Sequence, residues 1–198
     1  MTENVVGNAY DKYATSNPIA RRLMADFLAS VGTLFARSKP KTVLEVGCGE
    51  GHLAHQLLSY HRPERFLCTD LSLERVREDL DPLLEFQQAS IYELPFERDS
   101  FDLVICCEVL EHLERPAAGL AEVARVAKTH VIISTPWEPV WRAMNMARGK
   151  YWSDLGNTPG HIQHFGRRDL RELAARELEI LDLRKPLPWT VIRGAPRE

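Results

Sequence analysis

The sequence predicts an α/β protein whose sheet is doubly wound and mostly parallel. Five short apolar segments alternate with helix-compatible segments over the first two thirds of the chain. The first segment breaks into Gly47-x-Gly49-x-Gly51, a turn that is typical of strand-to-helix junctions in cofactor-binding sheets. Near the C-terminus, two apolar stretches are joined through prolines, which predicts an antiparallel pair at a sheet edge: Leu178–Leu183 and Trp189–Arg193.

Composition favours one domain spanning residues 1–198. The net charge is −3 and the charged fraction is 27%, so no general nucleic-acid or membrane-binding surface is expected. No apolar run approaches the roughly 20 residues that a membrane-spanning helix needs. The first residues lack the basic and then apolar pattern of a signal peptide. The four cysteines include no C-x-x-C pair, which favours reduced thiols and a cytoplasmic location.

The N-terminal segment is polar and carries Tyr13. Asn17 is a good N-cap and Pro18 suits the first helical position, so a helix is predicted over Ile19–Val31. Two interpretations remain open for residues 1–35. They pack as an ordinary helix on the sheet, or they form a lid over a cofactor cleft.

The glycine turn follows a predicted strand, Thr42–Val46, and precedes a predicted helix over about Gly51–Tyr60. Its spacing is one residue shorter than the dinucleotide fingerprint. Glu45 and Glu50 flank the turn, and no Lys or Arg stands between Val43 and Ala54. Such acidity opposes a pyrophosphate and favours a ligand with positive groups. S-adenosylmethionine, with an ammonium and a sulfonium and no phosphate, is the cofactor that fits.

The second predicted strand, Arg65–Asp70, ends in an acid about 20 residues beyond the turn. At that distance a carboxylate accepts hydrogen bonds from ribose hydroxyls. The alternative is that Asp70 caps a helix predicted over Leu73–Leu80. The later predicted elements are strand Leu84–Gln88, strand Phe101–Cys106, helix Pro116–Ala127, strand His130–Ser134 and helix Arg167–Arg176.

Residues 135–166 interrupt this alternation and contain many Trp, Met and Gly residues. From Pro136 to Arg168 five basic residues stand against two acids, although the whole chain is acidic. We interpret the segment as a substrate lid that favours an anionic or aromatic small molecule, with Arg142, Arg148 and Lys150 as the basic residues to test. The same composition also suits a segment resting on a membrane surface.

Six motifs together resemble the class I S-adenosylmethionine-dependent methyltransferases of the small type 11 kind. In chain order these are Glu45-Val-Gly-Cys-Gly-Glu-Gly51, Asp70-Leu-Ser72, Glu93-Leu-Pro-Phe96, Phe101-Asp102-Leu-Val, Glu108-Val-Leu-Glu-His112 and Thr135-Pro136. The resemblance implies a Rossmann-like seven-stranded sheet with helices on both faces and a C-terminal antiparallel hairpin.

The resemblance also implies the cofactor contacts. The Glu45 and glycine-turn region and Cys107 would meet the methionine end, Asp70 the ribose, and Leu71 with the Ser90-Ile91 pair the adenine. The family often has Asp where Ser90 stands. The full set of expected cofactor-binding residues is Tyr13, Glu45, Gly47, Cys48, Gly49, Gly51, Asp70, Leu71, Ser90, Ile91, Cys107 and Glu108.

His112 and His161 are the candidates for a catalytic base, because a neutral imidazole accepts a proton near pH 7. His164 lies in the same loop as His161 and is a further candidate. The structural alternatives are that His112 closes the turn after the fourth strand and that His161 braces its loop. Orientation alone supplies much rate acceleration in such displacements, so a base is not indispensable.

Glu108-x-x-Glu111-His112 resembles the metal site of ubiquinone-pathway O-methyltransferases and small-RNA 2′-O-methyltransferases. The RNA enzymes continue with a second His two residues on, where this chain has Glu114. Because the sequence identifies no fourth ligand, we interpret the pattern as structural and expect no metal.

The predicted function is methyl transfer from S-adenosylmethionine to an oxygen or nitrogen of a small molecule. A non-catalytic cofactor-binding partner subunit is the alternative. A nicotinamide-dependent oxidoreductase is disfavoured by the loop spacing and by the absence of a Tyr-x-x-x-Lys pair. The acidic chain carries no appended basic or zinc module, so nucleic acid is not an expected partner.

Overall fold

The computed structural model describes residues 17–147, 149 and 151–197. The predicted contacts of Tyr13, Arg148 and Lys150 lie outside the described residues. Its strands are β1 Thr42–Val46, β2 Arg65–Asp70, β3 Leu84–Gln88, β4 Phe101–Cys107, β5 Ala127–Pro136, β6 Leu178–Arg184 and β7 Trp189–Pro196. Its helices are α1 Pro18–Ser38, α2 His52–Leu57, α3 Pro116–Val126, α4 Glu138–Ala147 and α5 Arg167–Glu177, with 3₁₀ turns at Leu110–His112 and Trp152–Asp154.

Within the described residues the strands form one seven-stranded sheet in the order β3-β2-β1-β4-β5-β7-β6. The first five strands of this order run parallel, and β7 runs antiparallel to both β5 and β6. This arrangement confirms the predicted fold, including the C-terminal hairpin. The strand order reverses between β1 and β4, and ligands of doubly wound sheets bind beyond the carboxyl ends of strands at such a switch point.

Helices cover both faces of the sheet, as predicted. Successive strand residues point to opposite faces, so Val43 packs toward α1 and α2 while Leu44 packs toward α3 and α5. The same alternation in β4 places Leu103 with the first group and Val104 with the second. The two cores therefore hold the carboxyl ends of the central strands between packed layers.

Helix α1 is longer than the sequence analysis predicted because its apolar face continues to Phe35, which is fully buried. Its start agrees with the prediction, since the Asn17 side chain accepts a hydrogen bond from the backbone N–H of Ile19 at 2.9 Å. Phe27 of α1 packs against Trp189 of β7 with ring centroids 4.8 Å apart. None of the helices in the described part of the chain has the length and apolarity to cross a bilayer.

The predicted helix over Leu73–Leu80 is wrong. Residues 71–80 form an irregular, largely exposed segment. The Arg77 side chain forms a salt bridge with Asp79 at the surface. The backbone N–H of Arg77 donates a hydrogen bond to the carbonyl oxygen of Glu50 at 3.4 Å. Of the four apolar side chains of the segment, only Leu80 packs against the hydrophobic core. Short helices depend on such packing for their stability.

Candidate functional site

The glycine turn lies at the carboxyl end of β1 in left-handed backbone conformations. The φ angles of Gly47, Gly49 and Gly51 are 77°, 55° and 81°, values that only glycine adopts readily. A Cβ on Gly49 would meet no described heavy atom within 4 Å, whereas a Cβ on Gly47 would collide with Val109. The turn is thus packed on one side and open at Gly49, where a ligand can approach the backbone.

Asp70 is tied to the same turn. One carboxylate oxygen accepts the backbone N–H of Gly49 at 2.8 Å, and the other accepts that of Ser72 at 3.4 Å. A carboxylate has further acceptor sites, so Asp70 can still receive a diol. No helix begins in residues 71–80, which leaves no helix there for Asp70 to cap. Leu71, beside it, is 37% exposed.

Glu45 lies buried beneath the turn. Burial, and secondarily the charge of Asp70, raise the pKa of the Glu45 carboxyl to about 8. The thiol of Cys68 donates to one of its oxygens at 3.9 Å. Cys48 and Cys107 are also buried, and burial raises the pKa of both thiols well above their usual range. The turn therefore combines acidic groups with neutral thiols, which suits a cationic ligand.

The two residues of the Ser90-Ile91 pair, which were predicted to contact the adenine, differ in how their side chains are placed. Ser90 is half-buried, and its hydroxyl oxygen accepts the backbone N–H of Tyr92 at 3.3 Å. The Ile91 side chain belongs to the core on the α3 face of the sheet. Only backbone groups of Ile91 remain to meet a ligand.

Glu108 follows β4 directly and has a φ of 61°, a strained value for a residue with a Cβ and one that clusters at functional sites. Its two carboxylate oxygens accept hydrogen bonds from the Ser134 hydroxyl at 3.1 Å and the Trp189 indole at 2.7 Å. The C-terminal hairpin and β5 thus orient this carboxylate.

Two residues of the 3₁₀ turn after β4 form a polar cluster with a residue of the loop before α5. The cluster consists of Glu111, His112 and His161. One donor atom of each lies within 4.8 Å of the others, and the two imidazole centroids are 4.9 Å apart. His112 contacts the carbonyl oxygen of Gly160 through Nδ1 at 2.8 Å, and His161 contacts Glu138 through Nδ1 at 2.7 Å. The two predicted catalytic histidines therefore meet at one place.

Backbone hydrogen bonds hold the His161 loop against the 3₁₀ turn. The N–H groups of Ile162 and Gln163 both donate to the carbonyl oxygen of Glu111 at 3.0 Å. The Gln163 amide also donates to the carbonyl oxygen of Leu113 at 3.1 Å. His164, in contrast, is exposed and contacts the Asn157 amide oxygen at 3.0 Å.

Sequence reasoning missed two residues in this region. Glu138 begins α4, is buried and orients His161 from 23 residues away in the chain. Arg167 lies with its guanidinium carbon 3.7 Å from the centroid of the Trp137 ring. In the sequence these two residues were recognisable only as an acidic and a basic residue near the two ends of the segment 135–166. Arg142 donates to the carbonyl oxygen of Leu155 at 2.9 Å and braces the loop.

The residues at the strand ends fit S-adenosylmethionine. Gly49 leaves open space at the turn, and Asp70 stands beside it with acceptor capacity for a diol. The buried carboxyl of Glu45 is close enough to Asp70 for their charges to interact. These carboxyl groups favour a positively charged ligand that carries a ribose, and they oppose the binding of a pyrophosphate.

Comparison with known proteins agrees with this geometry. Residues 44–134 match the family model described as a methyltransferase domain. A probable S-adenosylmethionine-dependent methyltransferase of Mycobacterium tuberculosis is 33% identical over 52% of this chain and 38% of its own length. The ubiquinone biosynthesis O-methyltransferase of Hahella chejuensis is 37% identical over 44% of this chain and 39% of its own length. The chain thus spans less than half the length of these relatives.

Solved structures support the same fold. The magnesium protoporphyrin IX methyltransferase from Synechocystis, crystallised with bound SAH, has a TM-score of 0.67 to this chain at 16% identity. The likeness covers 94% of this chain and 91% of that one. With its glycine turn, its strand order and its match to the methyltransferase-domain family over residues 44–134, this chain is similar to the class I S-adenosylmethionine-dependent methyltransferases.

Proposed function

We propose that the chain transfers a methyl group from S-adenosylmethionine to an oxygen or nitrogen of a small-molecule acceptor, as one cytoplasmic methyltransferase domain. The observation that carries the proposal is the position of the His112–His161 cluster beside the glycine turn. Val109 packs on Gly47, and the 3₁₀ turn with His112 begins at the next residue. An acceptor held at the cluster would therefore lie near the methionine end of the cofactor.

The cofactor supplies an electrophilic methyl group on a sulfonium. Asp70 would accept the ribose hydroxyls, while its bond to Gly49 keeps the turn open. Burial raises the pKa of the Glu45 carboxyl to about 8, and the positive charge of the methionine end would favour the ionised form of this carboxyl when the cofactor binds. Cys107 and Glu108 would border the methionine end from β4.

His161 is the residue best placed to accept a proton from the acceptor. Its Nδ1 lies 2.7 Å from a carboxylate oxygen of Glu138, so that nitrogen carries the hydrogen when the ring is neutral. The lone pair then resides on Nε2, which has no hydrogen-bond partner among the described residues. Glu138 would also stabilise the imidazolium that forms. His112 would position the acceptor across the T-shaped ring contact.

The proposed acceptor class rests on the segment over the cluster. Residues 135–166 would cover the acceptor, and Trp137 with the guanidinium of Arg167 would offer a flat, positive surface to an anionic or aromatic compound. The name of the matched Hahella relative denotes a quinone-pathway O-methyltransferase, which supports a small-molecule acceptor. A cytoplasmic location is supported by four cysteines, all described and all free thiols.

A methylation screen tests this proposal. The purified chain is incubated with isotopically methyl-labelled S-adenosylmethionine and a metabolite extract, and labelled products are detected by mass spectrometry. We expect a labelled small molecule whose formation falls at least tenfold in His161→Ala. The matched control is His164→Ala, which changes an exposed histidine of the same loop and should retain activity.

Two results would contradict the proposal. One is label appearing only in nucleic acid or protein. The other is S-adenosylhomocysteine binding without labelled product in extracts that support other methyltransferases, which would favour the non-catalytic partner subunit.

A further inference from the structure

Two large apolar side chains are exposed on one turn of the loop before α5. Trp152 is 64% exposed and Leu155 is 66% exposed. They share the turn because the backbone N–H of Leu155 donates to the carbonyl oxygen of Trp152 at 3.2 Å. A third large apolar residue of this loop, Ile162, is 51% exposed. Neighbouring exposed side chains of this kind mark surfaces that meet an apolar partner or phase.

Hydrogen bonds from α4 hold the backbone of this turn. The Arg142 guanidinium donates through Nε to the carbonyl oxygen of Leu155 at 2.9 Å, and the Asn145 amide donates to the carbonyl oxygen of Gly156 at 2.9 Å. Gly156 has a φ of 79°, and a Cβ there would collide with the carbonyl group of Arg142. The turn is therefore braced against α4, while the Trp152 and Leu155 side chains remain exposed to solvent.

The charged residues that precede this turn are positive. Between residues 139 and 153 the sequence has three basic residues and no acidic one: Arg142, Arg148 and Lys150. Asp154 of the turn offsets one of these charges, whereas Glu138, the other acid of the segment 135–166, is buried. The rest of the chain is acidic, since the net charge of the whole is −3. The positive charge is therefore concentrated in the stretch of chain that leads into the turn.

We propose that this turn, with the basic residues before it, binds reversibly to the surface of an anionic lipid bilayer. At such a surface Trp and Leu side chains enter the boundary between headgroups and acyl chains, and Lys and Arg side chains are attracted to the lipid phosphates. The acidic remainder of the chain is repelled by the same lipids, which orients the turn toward the bilayer. A second copy of the chain would bring the same positive charges against this surface, so the charges disfavour self-association through it.

The loop that carries this turn also carries His161 of the proposed acceptor site. The Asn145 amide that holds Gly156 also donates to the Thr158 hydroxyl at 3.1 Å, and the backbone N–H of His161 donates to the carbonyl oxygen of Thr158 at 3.0 Å. A chain bound through the turn would thus hold the His161 loop at the bilayer surface. The consequence for the acceptor rests on the proposed function: we expect a small molecule with an anionic or aromatic headgroup and an apolar tail dissolved in the bilayer.

Vesicle co-sedimentation without cofactor or acceptor tests the membrane proposal. The purified chain is mixed with vesicles of phosphatidylcholine alone, or of phosphatidylcholine and phosphatidylglycerol in equal amounts. We expect binding to the anionic vesicles to be at least tenfold tighter than to the neutral ones and to weaken as salt is added. Trp152→Ser with Leu155→Ser, and separately Arg148→Gln with Lys150→Gln, should each weaken binding to the anionic vesicles at least tenfold.

The matched controls change exposed residues outside the segment 135–166. Leu181→Ser alters an exposed leucine of β6, and Arg171→Gln with Arg176→Gln removes two exposed charges of α5. Both controls should bind the anionic vesicles as the unaltered chain does. Thermal unfolding and S-adenosylhomocysteine affinity check that each variant is folded.

Several outcomes decide the membrane proposal. No sedimentation of the folded chain with anionic vesicles, or equal binding in the folded variant that carries Trp152→Ser and Leu155→Ser, would overturn it. Self-association that this double variant abolishes would also overturn it, because the turn would then belong to an interface with a second copy of the chain. Vesicle binding by a chain that transfers no methyl group would support the membrane surface and contradict the proposed function. Methyl transfer by a chain that binds no vesicles would do the reverse.

Discussion

At the scale of single residues, the buried carboxyl of Glu45 links cofactor chemistry to stability. Its pKa is raised to about 8, first by burial and then by Asp70. The folded chain therefore holds a proton that the unfolded chain releases near pH 4.5. Because the native state binds more protons in that window, stability falls as pH rises from about 4.5 to about 8.

Glu45→Gln should remove this pH dependence. Between pH 5.5 and 8.5 the free energy of unfolding of the unaltered chain should decline relative to that of the variant, by up to about 1.4 kcal/mol per pH unit. Denaturant unfolding at four pH values measures the difference. Glu97→Gln, at an exposed site, should preserve the decline. Parallel curves for the unaltered chain and Glu45→Gln would show that Glu45 is charged when folded.

Two glycines of the turn should respond differently to alanine. At Gly49 an added methyl group has open space among the described residues, so Gly49→Ala should cost only about 1–2 kcal/mol of backbone strain. The methyl group would occupy the ligand's place, and S-adenosylhomocysteine affinity should fall at least tenfold. Gly47→Ala collides with Val109 and should lose more stability. Calorimetry and thermal unfolding measure both, and equal cofactor affinity in Gly49→Ala would contradict the assignment.

At the scale of elements, α4 and the loop before α5 form a unit through buried polar contacts. The Asn145 amide donates to the carbonyl oxygen of Gly156 at 2.9 Å and to the Thr158 hydroxyl at 3.1 Å. The Trp141 indole donates to the same hydroxyl at 2.8 Å. These bonds fix the loop that carries His161, so this unit and the position of His161 depend on each other.

Asn145→Ala should loosen this unit without disturbing the cofactor turn. Losing a buried donor to two acceptors costs about 1–3 kcal/mol, and the loop should be cleaved faster by a protease. S-adenosylhomocysteine affinity should change less than twofold, since the glycine turn lies on other elements. Ala143→Ser, at an exposed position of the same helix, is the control. Unchanged proteolysis in Asn145→Ala would contradict the coupling.

Elements with periodic apolar residues were predictable, and those set by tertiary contacts were not. The strands and the C-terminal hairpin follow from short apolar runs bounded by glycines and prolines. The composition of segment 71–80 allowed a helix, but of its apolar side chains only Leu80 packs against the core in the fold. Glu138 and His161 could not be paired from the sequence, because their contact depends on how α4 meets the loop.

At the scale of the whole molecule, the strand order gathers these parts at one edge of the sheet. The glycine turn after β1, Asp70 at the end of β2 and Glu108 after β4 lie at the ends of neighbouring strands. Trp189 of the antiparallel strand reaches Glu108 at 2.7 Å, so the C-terminal hairpin completes the same edge. The positions of the residues proposed for the cofactor were predictable because they lie at or directly after strand ends. The proposed acceptor end could not be predicted, because it depends on how α4 and the His161 loop meet in the fold.

The central claim is that this edge binds S-adenosylmethionine through Asp70. The most direct measurement is calorimetric titration with S-adenosylhomocysteine and, separately, with NAD. We predict one S-adenosylhomocysteine per chain, at least tenfold weaker binding in Asp70→Ala, and unchanged binding in Asp79→Ala, which alters an exposed acid of the adjacent segment. Binding of NAD in preference to S-adenosylhomocysteine, or equal S-adenosylhomocysteine affinity in a folded Asp70→Ala variant, would contradict the account.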